Sequence, residues 1–128
     1  MIVNTNRNPA FSGIVNPSFN SSINPNFNSS INPLYNTLIN PNYSANFNGF
    51  YLWQWNSSAL TGFVVRASNQ VLLIYNLGVQ WCSFGVVVYP GTVIQFDLNG
   101  NWIGTWISNG CGNYNIYASG MVLTGYTT

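Results

Sequence analysis

The sequence predicts an all-β protein with two unlike parts: an extended N-terminal repeat shaft and a small β-sandwich or jelly-roll-like head. Three observations lead there. An eight-residue unit with a proline in every copy recurs between residues 8 and 48. From residue 49 onward, β-branched and aromatic runs alternate with short Asn, Ser and Gly clusters, the pattern of strands and turns. No segment shows the apolar spacing of a helix.

The division is residues 1–7 as a tail, 8–48 as the shaft and 49–128 as the head. In the shaft, Asn-Pro falls at 8–9, 16–17, 24–25, 32–33 and 40–41. An aromatic follows two residues after each proline: Phe11, Phe19, Phe27, Tyr35 and Tyr43. An apolar residue closes each unit: Val15, Ile23, Ile31, Ile39 and Phe47. A proline every eight residues forbids a helix, since it removes a donor and clashes with the preceding turn. Regular Phe/Ile spacing argues against a disordered Asn/Ser linker.

Read with period two, the aromatic and apolar residues fall on odd positions and most Asn residues on even ones, with Ile14, Leu34 and Leu38 as the main exceptions. Eight is even, so the register does not slip between copies. This predicts extended chain with one apolar edge, which demands partners. Two geometries satisfy it: a narrow solenoid with one unit per step, or several identical chains wrapped about an axis. The second is preferred because an eight-residue coil buries little, and three chains form the natural closed number. The ten aromatic and apolar residues above are then the shaft interface.

In the head, strands are expected at 49–55, 60–67, 70–76, 79–89 (as one strand or two), 92–97, 102–107, 113–118 and 120–126. Asn99-Gly100 in "DLNGNW" suits a type I′ hairpin turn. Trp53 and Trp55, and Trp102 and Trp106, sit at even spacing, so each pair is expected to share a face. They are candidates for core or interface packing, or for stacking on a glycan. Cys82 and Cys111 permit one disulfide or two free thiols. Asn20, Asn28, Asn42 and Asn56 each begin an Asn-X-Ser sequon and are candidate glycosylation sites.

Charge sets the limits on function. The 128 residues carry two arginines, Arg7 and Arg66, one acidic residue, Asp97, and no histidine. Two cations cannot track a phosphate backbone, so nucleic acid is not an expected partner. A His-based triad and a carboxylate pair are both impossible, and no lysine is present to form a Schiff base. No Cys/His cluster suggests zinc, and no cofactor or enzymatic activity is expected. Arg66 and Asp97 are candidates for an ion pair. No apolar run is long enough for a membrane span, and the N-terminus lacks the basic and apolar regions of a Sec signal peptide.

A repetitive shaft ahead of a compact β head resembles the trimeric fibres and spikes of viruses, such as the adenovirus fibre. The resemblance lies in architecture, not in matched motifs. It implies a structural homotrimer on a virion, joined by its N-terminus to other virion proteins, with a head that attaches to a host-surface glycan or protein. The alternatives are a cellular or spore filament subunit joined by N-terminal strand exchange, and a glycan-binding β module. The expected location is a virion surface or an extracellular appendage.

Overall fold

In the computed structural model, residues 16–17, 19–44, 48–55, 57, 59–89, 91–118 and 122–128 are described. The expected tail, and Phe11, Val15, Phe47 and Asn56, lie outside them. Residues 49–128 contain eight strands: β1 (Gly49–Gln54), β2 (Leu60–Arg66), β3 (Val71–Asn76), β4 (Trp81–Tyr89), β5 (Thr92–Asp97), β6 (Trp102–Ser108), β7 (Tyr114–Ala118) and β8 (Val122–Thr127). All pairings are antiparallel between chain neighbours, and β1 also pairs with β8, so the sheet is a closed barrel.

The all-β class holds, but the sandwich or jelly roll does not. The connections between strands are short, which allows each strand to pair only with the next. A jelly roll needs long crossovers that this chain lacks. Closure instead comes from curvature. Five of the eight pairings carry a register shift, each of which adds local twist. Gly125 is needed at the seam: a Cβ there would stand 2.6 Å from the Trp53 carbonyl oxygen.

One register shift also undoes an expectation. The pairs Gln95↔Gly104 and Phe96↔Trp102 leave Ile103 as an extra residue in β6. Trp102 and Trp106 therefore do not share a face. Trp106 is fully buried in the barrel, whereas Trp102 is 37 % exposed.

Small barrels fill their lumen with side chains. Here Leu52, Val64, Leu72, Ile74, Val93 and Trp106 form the inner cluster, with Phe50, Val87, Tyr114 and Ile116 against it. The Trp106 indole donates to Gln95 Oε1 at 2.9 Å, and Gln95 Nε2 donates to Ser83 Oγ at 3.1 Å. A buried indole N–H thus finds its acceptor. The β5–β6 hairpin forms as expected, but its turn is not type I′. That turn needs positive φ at both central residues; here Gly100 alone in the turn has it (φ 86°), and its N–H donates to the Asp97 carbonyl.

The repeat is not an extended shaft. Within the described residues, each complete stretch of the repeat folds as tight turns. In one unit, Asn24-Pro25-Asn26-Phe27 closes with Phe27 N–H donating to the Asn24 carbonyl at 2.9 Å, proline holding the second position as such turns favour. Asn28 then caps a 3-10 turn, Ser29–Ile31. The same 3-10 turn recurs at Ser21–Ile23 and Thr37–Ile39. The result is a narrow coil within one chain.

Period two misled because eight is divisible by four as well as by two. The aromatic and the isoleucine of each unit lie four residues apart, in different turns. They face opposite ways: Ile23, Ile31 and Ile39 are 2–8 % exposed, while Phe19, Phe27, Tyr35 and Tyr43 are 75–77 % exposed.

The isoleucines have a partner the sequence reading did not supply. They pack on the outside of β2–β5 with Val65, Val71, Leu73, Tyr75, Phe84, Val86, Ile94 and Phe96. Residues Val71 to Tyr75 of β3 are consequently buried on both faces, lumen and coil. Burying an isoleucine side chain is worth about 1.5–3 kcal/mol, so the three knobs hold the coil firmly. No helix among the described residues is long and apolar enough to cross a membrane.

Candidate functional site

The coil presents the most unusual surface of the molecule, and the asparagines create it. Among the described residues, Asn20, Asn24, Asn28, Asn32, Asn36 and Asn40 are in extended conformation, each before a turn. The side-chain oxygen accepts from the N–H two residues on: Asn24 from Asn26 (3.0 Å), Asn28 from Ser30 (3.1 Å), Asn32 from Leu34 (2.8 Å), Asn36 from Leu38 (3.1 Å) and Asn40 from Asn42 (3.0 Å). These are Asx turns, which asparagine forms better than most residues.

The amide nitrogens then point back to the preceding unit. Asn24, Asn32 and Asn40 donate to the carbonyls of Pro17, Pro25 and Pro33, at 3.2, 2.9 and 3.2 Å. Asn28 and Asn36 donate to the carbonyls of Ser22 and Ser30, at 2.9 and 2.8 Å. The backbone bonds of residues 19–44 span only three or four residues. The bonds that reach six or seven residues back and tie one turn to its counterpart in the unit before come, among the described residues, from these side chains. Asn24, Asn32 and Asn40 are buried, and each is satisfied on both its oxygen and its nitrogen. From the sequence, asparagine is expected on a polar outer edge and, before proline, as a turn initiator whose side chain bonds nearby backbone; the tie to the preceding unit is not expected. The signal for its real role was present: asparagine stands before every proline of the repeat, and again four residues later in the three middle units (Asn20, Asn28, Asn36), with serine there only in the first and last.

With the amides and isoleucines turned toward the coil interior and the barrel, one aromatic ring per unit is left outward: Phe19, Phe27, Tyr35 and Tyr43. Leu34 and Leu38 add to this surface at 75 % and 76 % exposure. So many large apolar side chains left exposed in one row make this face the candidate interaction surface. Of the ten expected interface residues, the described ones thus divide into an outward row and an inward row.

Three polar contacts seat the coil on the barrel. Tyr75 Oη donates to the Ile39 carbonyl at 2.9 Å. Asn26 Nδ2 reaches the Leu98 carbonyl at 2.7 Å, and Asn42 Nδ2 reaches the Val79 carbonyl at 3.2 Å. Burial pushes the Tyr75 hydroxyl well above the usual phenol range. Among the sequons, the Asn28 and Asn42 amide nitrogens are engaged in these bonds, and Asn20 accepts from Ser22 N–H at 3.2 Å and Ser22 Oγ at 2.6 Å.

The remaining candidates are dispersed. Arg66 and Asp97 do not pair. The Arg66 guanidinium lies 4.9 Å from the centre of the Phe50 ring. Asp97 is held in its hairpin by the Asn101 and Asn99 main-chain N–H groups, each at 2.9 Å, and by Asn101 Nδ2 at 3.0 Å. The bond from the Asn101 N–H leads in lowering its carboxyl below the ordinary range. Cys82 and Cys111 are free and exposed. Although Cys82 is exposed as a residue, its thiol donates to the Ile74 carbonyl at 3.3 Å, and partial desolvation there pushes it up, away from a reactive thiolate. Among the described residues no three metal-ligating side chains come together.

Trp53 and Trp55 do meet, through a residue the sequence reading passed over. Tyr126 of β8 lies opposite Trp53 across the barrel seam and stacks on it, ring centres 6.4 Å apart and planes at 14°. Trp55 stands edge-on to the same tyrosine at 6.2 Å. Compared with protein-family models, with curated proteins and with solved structures, the chain finds no match in any of the three.

Proposed function

We propose that this protein is a non-enzymatic structural subunit that associates with copies of itself through the aromatic row of its coil. The observation that carries this reading is the row itself: Phe19, Phe27, Tyr35 and Tyr43, each about three-quarters exposed at an eight-residue interval. Identical copies carry the identical interval, so rings of one can register with rings of another. The repeat between residues 8 and 48 contains no charged residue, so like-charge repulsion does not oppose close approach. The absence of histidine and the single acidic residue support a role without catalysis.

A virion surface or an extracellular appendage is the setting that suits such a subunit. With three formal charges in the chain, its assembly depends little on salt. Joining by strand exchange is the weaker alternative, because every strand of the closed barrel already has a partner on both sides.

Native mass spectrometry and sedimentation over a range of concentrations test the reading. The wild-type chain should associate, and the Phe27→Ser, Tyr35→Ser double variant should be monomeric with an unchanged melting temperature. A wild-type monomer at every concentration, or association that survives the double substitution, would refute it.

A further inference from the structure

The cluster of Trp53, Trp55 and Tyr126 lies on β1, the turn after it and β8, whereas the coil covers β2–β5. It is therefore a second surface, separate from the aromatic row. We infer that it binds a neutral carbohydrate, with Trp55 as the stacking ring.

The first ground is preorganisation. Trp53 Nε1 donates to Thr128 Oγ1 at 2.7 Å, which fixes the indole. Tyr126 Oη donates to the Ser57 carbonyl at 3.4 Å, and the Trp55 main-chain N–H donates to the Thr124 carbonyl at 3.1 Å. Both Trp53 and Tyr126 have their side-chain donors engaged with the protein. They act as a rigid wall that holds Trp55 edge-on. A ligand meeting this cluster loses little freedom in the protein, which favours binding.

The second ground is what Trp55 still offers. It is 39 % exposed. Its indole N–H has no partner among the described residues. One side chain thus presents an apolar ring and a hydrogen-bond donor together. A sugar presents the matching pair: an apolar face of C–H bonds and a rim of hydroxyls. Gln54 and Ser57 flank the ring, both exposed and both neutral. The Ser57 N–H donates to the Gln54 carbonyl at 3.3 Å, which folds the turn back beside Trp55.

The third ground is charge. Arg66 is committed to the Phe50 ring and Asp97 to its hairpin, so neither serves the cluster. A site with aromatic and neutral polar groups alone has no positive charge with which to hold a sulfated or phosphorylated ligand, and its ring-plus-donor pair matches a neutral sugar.

The test is a titration of the full chain with neutral tetrasaccharides (chitotetraose, mannotetraose and maltotetraose), with a sulfated heparin tetrasaccharide as the charged comparison. Intrinsic tryptophan fluorescence and calorimetry read the binding. At least one neutral sugar should bind, and Trp55→Ala should weaken it roughly tenfold or more, the equivalent of one lost contact of about 1.4 kcal/mol. Trp102→Ala, at a tryptophan of similar exposure on β6, should leave the affinity unchanged. The Phe27→Ser, Tyr35→Ser variant should bind as wild type does, which separates this site from self-association. The inference fails if no neutral sugar binds at millimolar concentration, if the heparin fragment binds in preference, or if Trp55→Ala retains wild-type affinity while remaining folded by circular dichroism.

Discussion

Asn32 Nδ2 donates to the carbonyl of Pro25, seven residues earlier, at 2.9 Å, and both residues are buried. The same side chain accepts from Leu34 N–H at 2.8 Å. One amide thus closes its own turn and ties it to the turn before. No other natural side chain of this length except asparagine has both a donor and an acceptor at its tip. Aspartate keeps the acceptor and loses the donor.

Asn32→Asp should therefore break the coil more than it breaks the barrel. It sets a carboxylate against the Pro25 carbonyl in a buried place. The expected loss is about 1–3 kcal/mol, more when the acid is ionised. Hydrogen exchange would show it as faster exchange in 19–44 with the strands still protected. Equal loosening of coil and barrel would mean that the amide ladder is not what holds the coil together.

Val79 has a φ of 60°, an uncommon conformation for a β-branched residue. It sits in the β3–β4 turn, where its N–H donates to the Asn76 carbonyl at 3.1 Å and its own carbonyl receives Asn42 Nδ2. The turn is thus gripped by the coil in a strained form. Val79→Gly should relieve the strain and stabilise the protein by about 1 kcal/mol, offset in part by glycine's greater freedom when unfolded. Chemical denaturation reads the sign. A destabilised variant would mean that the Val79 side chain contributes more than its backbone costs.

How much of this was legible in the sequence depends on the range of the contact. The strands were, because β-branched runs such as Val71–Tyr75 and the turn residues between them are local signals. Closure was not, because Trp53 and its partner Tyr126 come from opposite ends of the barrel's sequence and nothing local marks the pair. Parity failed wherever a residue was inserted, as Ile103 separates the faces of Trp102 and Trp106. In the repeat the period was legible and the geometry was not, since a spacing of eight suits both an extended strand and a pair of four-residue turns. The apolar run of β3 held an unused clue. A strand without polar alternation is buried on both faces, so something had to cover the barrel's outside.

Gly125 pairs with Gln54 at the seam where β8 meets β1, with the Trp53 carbonyl oxygen 2.6 Å from the place of a Cβ. Gly125→Val should push the seam apart while leaving the other seven strand pairings intact. Protection from exchange in β1 and β8 should fall, and the Trp53–Tyr126 stack should loosen, seen as a changed near-ultraviolet dichroism. A variant with an intact seam would show that the two strands can shift by the few tenths of an ångström required.

Tyr75 carries the pH dependence of the coil. Its hydroxyl donates to the Ile39 carbonyl within the cluster that receives Ile31 and Ile39, and burial raises its pKa above the unfolded value of about 10. The neutral form is the one the fold accommodates. Above pH 10 the unfolded chain releases this proton while the folded chain retains it. The folded state then binds more protons, and stability falls as pH rises. Below pH 10 the contribution is fully present. Denaturation midpoints measured from pH 7 to pH 11.5 should be level at first and then decline. Tyr75→Phe should lower the level part by about 1 kcal/mol, through the lost bond to Ile39, and flatten the decline. A decline that persists unchanged in Tyr75→Phe would assign the alkaline loss to another tyrosine.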